Sequence, residues 1–272
     1  MKRDEVDIAI GWARDEGWNP GIHDGKSFYA TDPAGFFIAE CKGRVVATAA
    51  VTNYDAHFAF GGLFIVTPGF RDRGVGSAIG EHALKHAGGR NLGIDGVLGM
   101  VPKYQRRDGF LFAYKNIRFE GKGGGKSSDS LLPAGRLSQS ELLSFDSVHF
   151  PAGRKTFLSS WLNQPDSRSL AALTKNGEIA GYGTIRRCYT GYKIGPLFAR
   201  SPEAAEEIFH GLIAWVPGEP VFFDTPEPNA AAVGIAVGHG MQKVFETARM
   251  YTKEIPDLPL DQIFGVTSFE MG

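Results

Sequence analysis

Alternating apolar and polar positions divide the chain into helices and strands of ordinary length. Residues 4–16 carry apolar side chains at helical spacing, and Gly17 ends this run. A second helix is predicted over 74–87 and a third from near Pro202. Short apolar runs bounded by turn residues predict strands at 36–41, 45–51, 58–66, 94–101, 111–119 and 221–224. This order of elements predicts an α/β protein.

The second half of the chain repeats the order of elements of the first half, at an offset of roughly 130 residues. The matching positions are Gly43–Ala47 with Gly177–Gly181, Leu63-Phe64 with Leu197-Phe198, and Arg118 with Arg249. We therefore predict an N-terminal domain at 1–121, a linker at 122–136 and a C-terminal domain at 137–272.

The glycine- and serine-rich stretch GKGGGKSSDS at residues 121–130 has no side chains with which to build a core. It resembles a phosphate-binding P-loop only in part. Gly125-Lys126-Ser127 would need a glycine at position 120, where the chain has Glu120. A linker or exposed loop is the favoured interpretation.

A second glycine-containing turn, FRDRGVGSAIG at residues 70–80, lies between a predicted strand and a predicted helix. It could be a helix-starting turn with solvated arginines, or a dinucleotide-binding turn of the GxGxxG type. Gly74 and Gly76 fit that spacing, but the third glycine is Gly80, one residue late. Asp95 lies about 20 residues on, where a ribose-binding acid would stand. The preceding strand, however, ends too early for this fold.

A third interpretation of the same turn is a pyrophosphate site. Gly74 and Gly76 remove Cβ atoms at the first turn of a helix, so an anion can approach the backbone N–H groups there. The helix dipole favours that anion, and Arg71 and Arg73 add positive charge beside it.

Composition excludes several classes of protein. The 272 residues are 43% hydrophobic, and 29 Lys and Arg nearly balance 30 Asp and Glu, so no nucleic-acid-binding surface is indicated. No apolar run is long enough to span a membrane, and the first residues do not resemble a signal peptide. Cys41 and Cys188 lie far apart, without a CxxC pair. We expect a soluble, cytoplasmic protein without a membrane or nucleic-acid partner, and leave a homodimer open.

The stretch LFIVTPGFRDRGVGSAIGEHAL resembles the central motif of the GNAT N-acetyltransferase superfamily, apolar-x-Val-x-Pro-x-aromatic-Arg-x-x-Gly-x-Gly. The positions in register are Val66, Pro68, Phe70, Arg71, Gly74 and Gly76. In the second half, DTPEPNAAAVGIAVGHGM resembles a later motif of the same superfamily. The chain is thus similar to two-domain bacterial GNAT proteins with a divergent second domain. The resemblance implies two GNAT folds, each a mixed, mostly antiparallel sheet flanked by helices.

The resemblance also implies a V-shaped cleft between strands 58–66 and 94–101, which takes acetyl-CoA or another acyl-CoA as co-substrate. Backbone groups of Phe64 and Val66 would hold the acyl-pantetheine arm. The pyrophosphate would lie on the backbone amides of Arg71, Asp72, Arg73, Gly74, Val75, Gly76 and Ser77. The counterpart in the second half, FARSPEAAE, has an N-cap at Ser201 and acids instead of glycines, so we expect acyl-CoA only in the first half.

The catalytic groups that the resemblance implies are incomplete. Phe60 stands where many GNAT enzymes have a glutamate base. Gln105 stands at the position of the tyrosine acid, with Tyr104 one residue away. We therefore predict Tyr104 as the acid, and His57 and Asp55 as groups that activate the amine. Asp224, at the end of the matching strand in the second half, is predicted to bind the acceptor; no metal set is visible.

The function that follows is acetyl-CoA-dependent N-acyltransfer to a primary amine, most simply that of a small molecule, in the N-terminal domain. The missing glutamate and displaced tyrosine keep one alternative open: an acyl-CoA-binding regulatory or scaffold protein that has lost catalysis.

Overall fold

The computed structural model describes residues 1–272 as eight helices and twelve strands. The helices are α1 (Val6–Asp15), α2 (Asp24–Thr31), α3 (Val75–Ala87), α4 (Val101–Asp108), α5 (Gln139–His149), α6 (Lys155–Trp161), α7 (Pro202–Ile213) and α8 (Ala230–Gly238). The strands are β1 (Phe36–Cys41), β2 (Arg44–Asn53), β3 (Phe58–Val66), β4 (Asn91–Val97), β5 (Leu111–Lys122), β6 (Leu132–Pro133), β7 (Ser167–Leu173), β8 (Ile179–Arg187), β9 (Tyr192–Ala199), β10 (Pro220–Pro226), β11 (Gln242–Tyr251) and β12 (Ile263–Gly265).

One mixed sheet runs through both halves of the chain, in the order β1-β2-β3-β4-β11-β5-β10-β9-β8-β7-β6, and β12 pairs with β9. Most neighbours are antiparallel, whereas β3 with β4 and β10 with β9 are parallel. The predicted fold class, a mixed sheet flanked by helices in a tandem arrangement, is confirmed.

The two halves exchange one strand each at the centre of this sheet. Strand β11 from the second half lies between β4 and β5 of the first half, and β5 lies between β11 and β10 of the second. Each half therefore completes its sheet with a strand from the other. The sequence repeat predicts two similar units, but gives no signal of this exchange.

Two buried ion pairs join each exchanged strand to a neighbouring strand of the other half. Arg118 on β5 donates from Nε and Nη2 to both carboxylate oxygens of Asp224 on β10, at 2.6 and 2.7 Å. Arg249 on β11 makes the same two-pronged contact with Asp95 on β4, at 2.9 and 2.7 Å. The members of each pair face one another in the strand register. The two repeats thus hold each other with equivalent pairs.

Helices cover both faces of the sheet. In the first half, α3 packs on one face against alanines of β2, while α1 and α2 pack on the other. In the second half, α7 and α8 cover one face and α5 the other. Helix α6 crosses between the halves, where Trp161 stacks on Phe28 of α2 with ring centroids 6.1 Å apart.

The predicted helices and strands are present, but some differ in extent and the pattern leaves several elements out. Strand β4 spans Asn91–Val97 rather than 94–101, and it ends there because a 3-10 turn at Leu98–Met100 and α4 follow at once. Helices α2, α5 and α6 and strands β6, β7 and β12 are not predicted. Backbone hydrogen bonds hold part of the glycine-rich stretch against the second half. The N–H groups of Gly123 and Gly124 donate to the carbonyls of Glu219 and Ile213, each at 2.9 Å.

None of the helices combines the length and the apolar character needed to cross a membrane.

The Asp224 ion pair gives a test of the strand exchange. Replacement of Asp224 by Asn leaves the buried Arg118 charge without its partner, and we expect a loss of about 3–5 kcal/mol in the free energy of unfolding, measured by urea denaturation. The control is Glu178→Gln, because Glu178 and Arg200 are both exposed, 3.8 Å apart. Equal losses in the two variants would contradict the structural role of the buried pair.

Candidate active site

Strands β3 and β4 separate to form a cleft in the first half of the sheet. They pair in parallel from Phe58 with Asn91 as far as Gly61 with Ile94. Beyond this point β3 continues to Val66 without pairing to β4. The splayed strands predicted from the sequence are therefore present, and the cleft opens between their carboxyl ends.

A β-bulge deforms β3 where the two strands separate. The register against β2 shifts between Thr48 and Ala50, and Leu63 takes a left-handed conformation with φ of 50°. The buried Thr48 hydroxyl donates to the Leu63 carbonyl at 2.8 Å, in place of a regular ladder bond. A bulge leaves one residue of its strand unpaired, and Leu63 and Phe64 both line the cleft at this point.

The N-terminus of α3 fits an anion. Gly74 precedes the helix with φ of 81°, a conformation that favours glycine, and no side chain caps the first turn. The N–H groups of that turn thus lack an internal partner. A Cβ on Gly76 would lie 3.3 Å from the Val66 side chain, which is closer than an ordinary contact. Gly76 thus lets β3 and α3 approach closely at the cleft.

The predicted acyl-CoA residues lie together at this end of the cleft. Phe64 and Gly76 line it directly, and Val66 and Val75 stand at the adjoining ends of β3 and α3. The other predicted positions, Arg71, Asp72, Arg73, Gly74 and Ser77, form the intervening loop and first helical turn.

The arginines of this loop have partners within the protein. Arg71 donates from Nε to the Val66 carbonyl at 2.9 Å and also pairs with Glu16. The Arg73 guanidinium lies over the Phe70 ring, 5.9 Å from its centroid. Arg107 of α4 lines the cleft and donates to the Ser77 hydroxyl at 2.6 Å. Three arginines therefore surround the open helix end, and two of them also pair with carboxylates, Arg71 with Glu16 and Arg107 with Glu81.

The corresponding cleft of the second half is filled by the chain itself. Strands β9 and β10 pair only as far as Ile194 with Phe223, so they separate as β3 and β4 do. Strand β12 occupies the gap and pairs with β9. A Cβ on Gly265 would lie 2.8 Å from the Phe223 ring, so the insertion is tight.

The start of α7, unlike that of α3, is closed by side chains. Ser201 accepts a hydrogen bond from the Ala204 N–H, and its hydrogen bond with Glu203 lowers the pKa of that carboxyl. An anion would meet a capped helix end and a negative charge here. These observations support the expectation that acyl-CoA binds in the first half.

Tyr104 is the predicted catalytic residue that the structure places in the cleft. It lies on α4, its ring passes over Gly96 of β4, where a Cβ would be 2.8 Å away, and it packs against Phe110. Burial raises the pKa of the Tyr104 phenol, and the charge of Asp108 raises it further. Its hydroxyl therefore stays protonated to higher pH than that of an exposed tyrosine.

His57 and Asp55 lie at the closed end of the V, which does not favour the catalytic roles predicted for them. Both precede β3, and an Asp55 oxygen accepts from the backbone N–H groups of His57 and Phe58 at 2.7 and 2.8 Å. The strands begin to separate after Gly61, roughly 13 Å further along β3 at the usual rise per residue.

Asp224 also lies away from the cleft, in the Arg118 pair. It is 1% exposed; burial acts to raise the pKa of its carboxyl, but Arg118 lowers it below the ordinary value. This contact gives Asp224 a structural role rather than the predicted one in acceptor binding. Asp95, which a dinucleotide site would use, is likewise held by Arg249 and by Asn116.

The cleft includes residues that the sequence analysis missed, because they arrive from distant parts of the chain. Trp18 comes from the loop after α1, and Phe245 and Thr247 come from the exchanged strand β11. Phe269 and Glu270 come from the segment after β12. The duplicated pattern carries no signal for these contributions, since they depend on the strand exchange and on the path of the last residues.

The parallel strands that separate at a bulge, followed by a glycine-capped helix with a free N-terminus, define an acyl-CoA-binding fold of the acetyltransferase type. Family comparisons agree for each half. Residues 7–107 match the model of the acetyltransferase (GNAT) family, and residues 142–265 match that of an acetyltransferase (GNAT) domain.

Comparisons with individual proteins extend over almost the whole chain. The holothin acyltransferase of Pseudoalteromonas sp. (strain SANK 73390) is 27% identical over 272 residues, covering 99% of this chain and 92% of that protein. A Pyrococcus horikoshii protein assigned to the acetyltransferases superposes with a TM-score of 0.84 at 20% identity, covering 100% of this chain and 94% of that one. A tandem GNAT protein from the clavulanic acid biosynthesis pathway gives a TM-score of 0.64 at 13% identity, covering 94% and 98%.

The chain belongs to the GNAT family, with one GNAT domain in each half, and it is an acyltransferase. The predicted family and enzyme class are thereby confirmed.

The glycine at position 76 gives a test of the cofactor site. We expect Gly76→Val to weaken acetyl-CoA binding at least about tenfold by isothermal titration calorimetry, since a Cβ there already lies 3.3 Å from Val66 and further methyl groups would enter the cleft. Gly234→Val in α8 is the control, because a Cβ there meets nothing within 4 Å. Unchanged affinity in the first variant would contradict the assignment.

Proposed function

We propose that the protein transfers an acetyl group from acetyl-CoA to the primary amine of a small molecule, in the cleft between β3 and β4. The observation that carries this proposal is the contrast between the two halves. The first cleft ends at an uncapped helix N-terminus among cations, whereas β12 fills the second. The predicted N-terminal domain, 1–121, is on this view the catalytic unit, and the C-terminal domain completes its walls.

The chemistry requires little beyond orientation. The neutral amine attacks the thioester carbonyl, a C–N bond forms, and the C–S bond breaks with release of the CoA thiolate. A backbone N–H at the Leu63 bulge would stabilise the oxyanion. Tyr104 would donate its phenolic proton to the leaving thiolate, a role that suits a tyrosine kept protonated by burial.

The holothin acyltransferase matches almost the whole length of this chain, and its name gives holothin as its acceptor. This relative supports a small-molecule acceptor. Trp18, Phe245 and Phe269 provide aromatic surface at the cleft. We therefore extend to this chain the class of acceptor, a compact amine, and not the identity of the compound.

The proposed function is tested by mixing the protein with acetyl-CoA and a panel of amines that includes holothin, benzylamine, spermidine and free lysine. Release of CoA thiol, followed with a chromogenic thiol reagent, together with the mass of the acetylated product, would support it. Protection of the protein against thermal unfolding by acetyl-CoA, without thiol release from any amine, would contradict it.

Tyr104→Phe removes the proposed acid and retains the ring that packs over Gly96. We expect kcat to fall about a hundredfold, with acetyl-CoA affinity unchanged, because the leaving thiolate loses its proton donor. In the unaltered protein, kcat should decline only above the ordinary tyrosine pKa, since burial raises the pKa of Tyr104. Steady-state kinetics over a range of pH would check both. An unchanged kcat in Tyr104→Phe would contradict the role of Tyr104 and would show that solvent protonates the thiolate.

A further inference from the structure

Glu270 is a buried carboxylate at the cleft with no hydrogen-bond partner. It is 2% exposed, it lines the cleft, and neither Oε1 nor Oε2 contacts a donor. Burial of a charged group without hydrogen bonds is costly, so this position calls for a hydrogen-bond donor, which no side chain supplies here. A ligand amine in the cleft is such a donor.

The segment after β12 fixes Glu270 against the splayed strand. The Glu270 carbonyl lies 2.2 Å from where a Cβ on Gly62 would be, so glycine is required at this approach. At the next residue, the Met271 N–H donates to the Ser268 hydroxyl at 3.1 Å, and the Tyr54 hydroxyl donates to the Met271 carbonyl at 2.8 Å. Glu270 is thus held next to Gly62, one residue before the Leu63 bulge.

This segment also passes the position where the family resemblance implies a glutamate base. Phe60 occupies that position, and its ring lies 2.9 Å from where a Cβ on Gly272 would be. The cleft therefore lacks a carboxylate from β3, but has one from the segment that crosses β3 a few residues away.

The charges that face Glu270 come from three strands. Arg118 on β5, Arg186 on β8 and Lys193 on β9 all interact electrostatically with it. Two of these cations have carboxylate partners of their own, since Asp224 binds Arg118 and Asp24 binds Arg186. Lys193 contributes the third positive charge and donates to the Trp18 carbonyl at 3.3 Å. Glu270 thus lies among positive charges that other carboxylates neutralise in large part.

The surroundings of Glu270 fit an amine carried on a flat, apolar framework. Trp18, Phe245 and Phe269 line the cleft together with Glu270. Thr247 lines it as well, and its hydroxyl is buried without a partner. Aromatic walls with two unsatisfied polar groups are typical of a site that orients a small ligand.

We propose that Glu270 is the general base of acyl transfer and that this aromatic pocket holds the acceptor amine. The inference rests on the proposed function and deepens it. As the amine nitrogen forms the C–N bond with the thioester carbon, the Glu270 carboxylate takes a proton from that nitrogen. The C–S bond breaks, and its electron pair leaves with the sulfur, which is protonated by Tyr104. When the products leave, the proton on Glu270 passes to solvent and Tyr104 regains a proton from solvent, so both groups return to their starting states.

Glu270→Gln keeps the shape of the side chain and removes its basicity. With acetyl-CoA as donor and holothin and benzylamine as probes, we expect kcat/KM to fall about a hundredfold or more. The dissociation constant of acetyl-CoA should change less than twofold. The acidic limb of the pH–rate profile should be lost in the variant, leaving only the limb that belongs to the amine itself. Glu120→Gln, on the exposed end of β5, is the matched control and should retain full activity.

A purely structural role for Glu270, as a counter-charge for Lys193, gives different results. Glu270→Gln would then lower the midpoint of thermal unfolding and leave the shape of the pH–rate profile unchanged, which would overturn the inference. If the Gln variant does not fold, Glu270→Asp retains the charge and withdraws the carboxylate by one methylene. A rate within threefold of the unaltered protein in this second variant would also overturn the inference.

Failure of this inference is distinguishable from failure of the proposed function. If the unaltered protein acetylates a probe and the Glu270 variants do so equally well, only the role of Glu270 is wrong. If the unaltered protein binds acetyl-CoA but acetylates no amine, the proposed function fails, and the inference fails with it.

Discussion

The architecture depends on two equivalent arginine–aspartate pairs at the centre of the sheet. Arg118 with Asp224, and Arg249 with Asp95, each join a strand of one half to a strand of the other. Both pairs are almost fully buried, so the loss of one partner would leave a charge without compensation. Their geometry requires β5 and β11 to be exchanged in register. The exchange in turn delivers Phe245 and Thr247 to a cleft that belongs mainly to the other half.

The duplicated fold contains two clefts, one that is open and one that the chain itself fills. Both arise where parallel strands separate, but one ends at the open helix start after Gly74 and the other at a helix capped by Ser201. An empty apolar cleft would lose packing without gaining a ligand. Strand β12 removes this cost in the second half by inserting Ile263–Gly265 beside β9. The second half therefore contributes stability and walls, while the first retains the features that suit acyl-CoA.

The parts of the fold that depend on local pattern could be predicted from the sequence. The strand, loop and helix around Gly74 follow from apolar periodicity and glycine spacing, and the repeat places Arg118 and Arg249 at matching positions. The strand exchange could not be predicted, because two similar repeats are equally compatible with closed and exchanged sheets. Asp224 illustrates the consequence. Its position at the end of a strand predicts a side chain that faces a cleft, whereas the strand exchange places Arg118 opposite it as an ion-pair partner. Glu270 could not be predicted either, because it reaches the cleft through the path of the last residues after β12, and nothing near it in sequence indicates an active site.

The path of the last residues links the two clefts physically. From β12 the chain passes Gly195, where a Cβ would lie 2.4 Å from the Val266 carbonyl, and then reaches Gly62 with the backbone of Glu270. The insertion that closes the second cleft thus sets the position of a carboxylate in the first. A base supplied in this way does not need to lie on β3, so Phe60 is free to serve the core. Loss of ligand binding in one repeat and relocation of the base in the other can therefore have a single structural cause.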